Sequence, residues 1–407
     1  MGQKHDIPAV VVGLNVNALA VARALGRNGV PVTVVAEGSA APEARSRYIL
    51  DLWLNGAGDE ALCDLLLERG QSLSDRPVLF PVTDSSVRAV ASHLGDIAWR
   101  YRVGMPEPDL VEALLDKRRF AQLALDLGLP APRTFFVDRP EQMPDVIRRA
   151  TYPCILKPQS KSQAYQATGA KKAYHLQDGR HLLETYRTFC HAEPRVVVQE
   201  WVPGGDNEVH FCLQYYDAQS RPLVSFCGHK IRQWPPHCGG TASCEPVGSG
   251  ELEALSTAFF QRVGFQGLCS MEFKRDPRDG TFKMIEPTVC RTDWQSGVAD
   301  INGVPIPYVA YRDLAGLPPL HCVRRQQPVK WVHLSSDRQS ADYYRERGEL
   351  TWARWLGSIR PPVRGAYWAL DDPLPYLSVL AGKVCAKLVR VGRRGDSGPR
   401  PGKDGRG

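Results

Sequence analysis

The 407-residue sequence has no C-x-x-C pair, no long uncharged apolar run, no internal repeat and little excess of one charge over its body. Its eleven cysteines are odd in number and scattered, which argues for reduced thiols in a cytoplasmic protein and against a disulfide framework. No segment is apolar for long enough to span a membrane. The apolar stretch 9–12 is too short for a secretory leader and runs into a glycine turn. The formal charge is +7, but from Arg390 onward six Lys or Arg stand against two Asp, so more than half of the excess sits in the tail. A nearly balanced body argues against nucleic acid as a partner. What remains is ordinary for a soluble globular chain, 43% hydrophobic and 23% charged, and long enough for two or three domains.

Glycine is missing where one nucleotide motif would need it. Residues 8–15 read as a buried strand ending in a turn, 16–27 as a helix and 30–36 as a second strand, a β-α-β start with a parallel sheet. The turn, Gly13-Leu14-Asn15-Val16-Asn17-Ala18, lacks the second and third glycines that let a backbone approach a pyrophosphate. Gly13 therefore reads as a tight-turn residue. Residues 77–82 read as a further strand. Ligands in open α/β sheets sit beyond the carboxyl ends of strands, which makes Asn15, Arg47, Thr83 and Asp84 candidates for a small polar substrate. The competing reading of Thr83 or Asp84 is a helix N-cap.

Downstream, 110–127 reads as one amphipathic helix containing Lys117. Tyr152-Pro153-Cys154-Ile155-Leu156-Lys157-Pro158 reads as a strand carrying a lysine, and a polar loop follows from Gln159 to Lys172. This loop is poor in glycine, with Gly169 alone. Residues 195–200 read as a valine-rich strand leading to Glu200, Trp201 and Val202, and a new strand starts at Glu208. The segment 265–291 reads as a β-hairpin turning at Asp276-Pro277-Arg278-Asp279-Gly280. A turn centred on Arg278 pairs residue 272 with residue 284. Glu272 and Glu286 then lie diagonally on one face, roughly 7–8 Å apart at Cα. Two carboxylates there repel unless a cation sits between them, and oxygen-only ligation suits Mg²⁺ (or Mn²⁺). Alternatively, this is a surface hairpin whose acids pair with Lys274, Lys283 and Arg275.

The order of Lys117, Lys157, a polar loop with Gly169, the 199–200 hinge, Glu208, Glu272 and Glu286 resembles the ATP-grasp superfamily over about residues 110–315. Within it, residues 13–18, Ser46-Arg47-Tyr48, Pro81-Val82-Thr83-Asp84 and Glu286-Pro287-Thr288-Val289-Cys290-Arg291-Thr292-Asp293 look most like carboxylate–amine ligases that include D-aspartate ligases. Carbamoyl-phosphate-synthase-like proteins are the next resemblance. The resemblance implies an ATP-grasp fold, mixed α/β and α+β. It comprises a Rossmann-like domain over 1–109, a nucleotide clamp over 110–320, a small appendage over 321–385 and a disordered basic tail over 386–407. It assigns ATP phosphates to Lys117 and Lys157 under the loop with Gly169 and Lys171, adenine to the Glu200–Trp201–Val202 hinge, and ribose to Glu208. Mg²⁺ falls to Glu272 and Glu286, with Thr288 where many relatives have Asn. Arg291 is implied as a phosphoryl clamp, with Lys230 and Arg232 flanking the same site.

The implied chemistry joins two small molecules, a carboxylate and an amine, at the expense of ATP. The carboxylate attacks the γ-phosphate, and the amine then displaces phosphate from the acyl phosphate to give an amide. Such transfer needs positioning and charge neutralisation more than covalent help, so Cys290 reads as a bystander. The loops 159–169 and 234–240 read as lids. One alternative is a synthase forming carboxyphosphate from bicarbonate. Another, from a different class, is a nucleotide-binding regulator without turnover, which Thr288 and the glycine-poor loop would favour. Residues 376–391 read as a basic amphipathic helix, for which docking on the chain's own body is preferred over contact with an anionic membrane surface.

Overall fold

The computed structural model describes residues 5–73, 75–159, 168, 173–237 and 239–383. Gly169, Lys171 and nearly all of the expected phosphate-covering loop lie outside these, as does the tail from 384.

Among the described residues three sheets organise the fold. The first is parallel, in the order β3-β2-β1-β4-β5, from β1 (Ala9–Val12), β2 (Val32–Ala36), β3 (Asp51–Leu54), β4 (Val78–Pro81) and β5 (Arg102–Val103). β1 is Ala-Val-Val-Val and buried throughout, the run expected of a strand covered on both faces. Gly13 ends it at φ 117°, and a Cβ there would lie 2.8 Å from Val82 Cγ2, so the turn itself explains the glycine. The helix Val16–Gly26 follows and packs against the helix Ile306–Leu314 in one core with Val298, Ala299 and Trp331.

The second sheet is antiparallel, in the order β6-β9-β7-β8, from β6 (Thr134–Val137), β7 (Cys154–Pro158), β8 (Tyr174–Leu176) and β9 (Val196–Glu200). Cys154, Leu156, Leu176, Val196 and Val198 point to a separate core beneath helices Met143–Arg149 and Gly179–Phe189. Lys157, Ile155, His175 and Gln199 occupy the other face, as the period of two requires.

The third sheet has seven strands in the order β14-β13-β10-β11-β12-β15-β16. These are β10 (Val209–Tyr216), β11 (Pro222–Trp234), β12 (Gly240–Pro246), β13 (Gly267–Arg275), β14 (Phe282–Val289), β15 (Lys330–Val332) and β16 (Val363–Gly365). Cys212, Cys227, Cys269, Met271 and Phe273 form one face, packed on the helix Gly250–Arg262 through Leu252, Phe259 and Phe260. On the other face Leu213, Tyr215 and Leu268 lie with the helix Ile306–Leu314, and the end bearing Glu272 is left open.

Two expectations change here. The helix read as continuous over 110–127 breaks at Asp116, which is extended (φ −86°, ψ 118°) and caps the second half by accepting from Arg119 N at 2.8 Å. Lys117 therefore opens the helix Lys117–Asp126. Within the expected appendage β15 pairs with β12 and β16 with β15, so its described strands widen the third sheet.

On the core side of β10 and β11, His210 faces His229 with ring centroids 5.5 Å apart. Burial drives the His210 imidazole down to about 4, opposed by the Glu208 carbonyl and assisted by His229 and Arg275. A base depressed below its unfolded value near 6.5 adds stability that is complete above that pH and lost as pH falls toward 4. Partial exposure limits the effect to about 2 kcal/mol. Urea midpoints at about pH 7.5 and 4.5 should therefore converge in His210→Gln relative to the native chain. An unchanged difference would place the pH dependence elsewhere.

Candidate active site

The hairpin between β13 and β14 turns at Asp276–Gly280, where the Asp276 carboxylate binds Arg278 N and Nε (3.0 and 2.8 Å). The Arg278 guanidinium holds the Asp276 carboxyl down at about 2. From that turn Lys274 pairs with Lys283 and Phe273 with Met284, a register that would set Ile285 opposite Glu272. One extra residue on β14 shifts the register there, and Glu286 comes directly opposite Glu272. A shift of one residue exchanges the faces of a strand, so without this bulge Glu286 would point to the other side. The diagonal arrangement expected from the sequence is thus corrected to a directly opposed pair. Thr288 pairs with Ser270 and shares their face.

Directly opposed like charges are unfavourable, and each carboxylate here meets its own lysine. Lys230 Nζ lies 2.5 Å from Glu272 Oε2, and Lys117 Nζ lies 3.4 Å from Glu286 Oε1. Lys230 is buried and also donates to Gln233 Oε1 at 3.1 Å. Burial pushes the Glu272 carboxyl up, Lys230 pulls it down, and the charges of Asp293 and Glu286 push it up again. Lys117 and Glu286 stand open to solvent. Ser270 Oγ is buried without a hydrogen-bond partner. Among the described residues no group of three or more His, Cys, Asp or Glu could hold a metal. Two carboxylates, a threonine and an unpartnered hydroxyl on one face fit a hard ion that takes its remaining oxygens from substrate and water.

Arg232 does not join them. Lys230 pairs with Cys244 and Arg232 with Ser243, so Ile231 is the extra residue and Arg232 emerges on the opposite face. There it is buried against Asp337, with Nε–Oδ1 at 2.8 Å and Nη2–Oδ2 at 3.0 Å, and donates to Ser358 Oγ at 2.7 Å. Asp337 also accepts from Trp355 Nε1 at 2.7 Å. The arginine expected to flank the site is thus engaged in a buried ion pair on the face away from Glu272.

The four substrate candidates of the first sheet divide. Asn15 caps the helix Val16–Gly26 through Asn17 N and Ala18 N, and Thr83 caps the helix Asp84–Ser92 in a capping box with Ser86. Arg47 is drawn away to the chain's far end, its amide donating to Asp372 Oδ1 at 3.0 Å. Asp84 accepts from Arg291 Nε at 2.7 Å, which links the end of β4 to the residues beyond β14.

The second and third sheets confront each other around Trp201. Its ring lies 4.7 Å from His175, on the face of Lys157, and 5.0 Å from the Lys274 ammonium, on the face of Glu272. Burial lowers the Lys274 ammonium, against the raising charges of Asp206, Glu208 and Glu272. Lys157 Nζ donates to Gln199 Oε1 at 3.4 Å. Glu200 is occupied: Lys283 lies at 2.7 Å and Arg278 at 3.0 Å, and together with the Arg133 amide they outweigh the burial that pushes its carboxyl up. The amides of Glu200 and Trp201 donate to Arg133 O and Pro153 O, and Val202 is buried. The loop after Trp234 is fastened by Asp206, which accepts from Gln233 N and His237 N at 2.9 and 3.0 Å.

Sequence reasoning missed Ser270 and Asp293 as members of this surface. Ser270 lies two residues before Glu272, a period that could have found it.

No family model matches the sequence. Over 261 residues the chain is 22% identical to D-aspartate ligase of Enterococcus faecium (strain Aus0004), a match covering 60% of each chain. It is 26% identical over 213 residues to the carbamoyl phosphate synthase large chain of Methanoculleus marisnigri, covering 50% of this chain and 19% of that one. The chain thus matches less than two thirds of the length of these relatives. The solved structure of N5-carboxyaminoimidazole ribonucleotide synthetase with ADP is similar at a TM-score of 0.61, 14% identity and 84% and 87% coverage of this chain and that one. L-amino acid ligase from Bacillus licheniformis gives 0.55, 15%, 78% and 76%.

Proposed function

This chain is an ATP-grasp protein by fold, and on that premise we propose that it is an ATP-dependent carboxylate–amine ligase acting through an acyl phosphate. The observation that carries the reading is the opposed Glu272–Glu286 pair, each acid held by a lysine, beside the unpartnered Ser270 hydroxyl. We assign residues 1–109 to the preceding domain and 110–320 to the nucleotide clamp. Glu272 and Glu286 would hold Mg²⁺, with Thr288 or Ser270 able to reach it directly or through water. The ion, when bound, neutralises phosphate charge. Lys157 and Lys117 serve the nucleotide phosphates. Trp201 and Val202 line the adenine side. With the first two hinge amides engaged, the Val202 amide is the donor left for the base. Glu208 takes the ribose hydroxyls. Glu200 sets the hinge through Lys283 and Arg278 rather than by touching ligand. Arg291, held by Asp84, lies ready for a substrate carboxylate or the acyl phosphate.

The substrate carboxylate oxygen attacks the γ-phosphorus as the bond to the bridging oxygen breaks, and ADP leaves. The amine nitrogen then attacks the acyl carbon, phosphate departs with the bonding pair, and the amine loses its proton. The same first step with bicarbonate is the second reading, favoured by the carbamoyl phosphate synthase similarity. ADP release separates the two. Dependence on an added organic acid and amine supports the ligase, whereas release with bicarbonate alone favours the synthase. Absence of release with any acid would sink both.

Nucleotide binding is tested by thermal midpoints. ATP with Mg²⁺ should raise the midpoint, and ATP with EDTA, or Mg²⁺ with NAD, should raise it much less. Lys157→Ala should weaken ATP by about tenfold or more, as loss of a charge-assisted contact does, and Arg275→Ala by little. Equal effects would remove Lys157 from the site.

A further inference from the structure

The last described helix presents an uncovered apolar stripe. Residues 374–383 are helical and enter from a turn fastened to the first part of the chain. Asp372 accepts from Arg23 Nε at 2.9 Å, Ser46 Oγ at 2.7 Å and Arg47 N at 3.0 Å. Asp371 accepts from Arg27 Nε at 2.8 Å and Tyr48 OH at 2.7 Å. These bonds fix where the helix begins. Beyond them Leu374, Leu377 and Leu380 are 54, 49 and 40% exposed, with Leu370 at 83% and Trp368 at 40% beside them. The Trp368 ring meets Tyr376 at 5.4 Å. A single exposed leucine is unremarkable, but a run of this kind at helical spacing marks an interaction surface. Docking on the chain's own body, the preference read from the sequence, would have covered these leucines.

Charge says what the surface fits. Lys383, Lys387, Arg390, Arg393 and Arg394 follow without an intervening acid, and Val384, Leu388 and Val391 continue the apolar spacing. From Val384 onward these are statements of sequence, outside the described residues. Residues 383–407 hold eight Lys or Arg against two Asp, which leaves 1–382 within one charge of neutrality. A groove on another protein would need the apolar stripe but not this concentration of positive charge. An anionic bilayer uses both, since apolar side chains enter the headgroup–acyl boundary while Lys and Arg meet the headgroups.

We propose that the helix 374–383, with Trp368 beside it, seats this protein on the surface of an anionic lipid bilayer, with Trp368 and the three leucines inserted, while Lys383 and the basic residues that follow it in sequence supply the attraction to the headgroups. The latch through Asp371 and Asp372 gives the seated protein a defined orientation. His333, a half-buried imidazole that meets Trp294 at 5.5 Å, feels the Lys383 charge, so the helix ends on the side of the molecule where Asp293 approaches Glu272.

The test is cosedimentation of the full chain with vesicles of neutral phosphatidylcholine, and with vesicles containing about 30% phosphatidylglycerol. The chain should pellet with the anionic vesicles alone, and less so as salt rises. Retention should fall about tenfold or more in the triple variant Leu374→Ser, Leu377→Ser, Leu380→Ser and also in Lys383→Gln, Lys387→Gln, Arg390→Gln. In the native chain, brominated acyl chains should quench a component of tryptophan fluorescence that Trp368→Phe removes. No retention on anionic vesicles, equal retention by the leucine variant, or absence of that quenching would overturn the proposal. So would leucine-dependent self-association without lipid, which would make a second copy the occupant. None of these readouts depends on nucleotide turnover, so the proposal can fail while the ligase reading stands.

Discussion

Glu286→Gln should lower Mg²⁺-dependent ADP release by about 10³-fold or more, in kcat, while the thermal midpoint without nucleotide stays close to native. The two halves of that expectation have different origins. Loss of one of two carboxylates weakens the hold on an ion that stabilises transition-state charge by several kcal/mol, and each 1.4 kcal/mol is a factor of about ten in rate. The carboxylate itself contributes little to folding. Its side chain is 56% exposed and its pair with Lys117 is an exposed one at 3.4 Å, of a kind that adds at most about 1 kcal/mol. The variant should also lose the extra midpoint shift that Mg²⁺ gives with ATP. Near-normal turnover would remove the pair from the chemistry and return the hairpin to a surface role.

Asp337→Ala should show the opposite profile, a stability loss of about 3–5 kcal/mol with whatever protein remains folded still binding Mg²⁺ and ATP. The substitution leaves the Arg232 guanidinium buried with its main partner gone, and an unpaired buried charge is among the most damaging single changes. Ser243 Oγ and Trp355 Nε1 lose their acceptor as well. Replacing both charged partners, as in Arg232→Met with Asp337→Leu, should recover much of the loss, because two apolar side chains need no desolvation. Urea unfolding of the three variants gives the answer. A stable Arg232→Ala with selective loss of turnover would reinstate the role that the sequence suggested for that arginine.

The lesson of Arg232 and Glu286 is the same one with opposite outcomes. Alternation of side chains is legible in a strand, and it marked Glu272, Lys274 and the valines of β9 without a structure. A bulge is not legible, since neither Ile231 nor Ile285 differs in type from a residue in regular pairing. One bulge put Arg232 on the far side of the sheet, and the other brought Glu286 to the near side. Capping was legible as an alternative at Thr83, where a hydroxyl precedes a helix, and invisible at Asp116, where an amphipathic pattern runs straight through the break. The last two strands, β15 and β16, escaped notice because three-residue strands carry almost no periodic signal, and the aromatic residues in and around them read equally well as a separate packed unit.

Arg23 has a consequence for the order in which the chain is made. It sits in the last turn of the first helix, yet its guanidinium donates to Ala366 O, Tyr367 O and both a carboxylate oxygen and the carbonyl of Asp372. Tyr311 OH likewise donates to Ile7 O. During synthesis from the amino end, Arg23 and Ile7 emerge more than three hundred residues before the partners they bind. Until then the arginine must stay hydrated, and the helix cannot settle against its final neighbours. A chain that stops before residue 372 therefore lacks the acceptors around which its own first helix is fastened, and its opening fold is incomplete at its beginning.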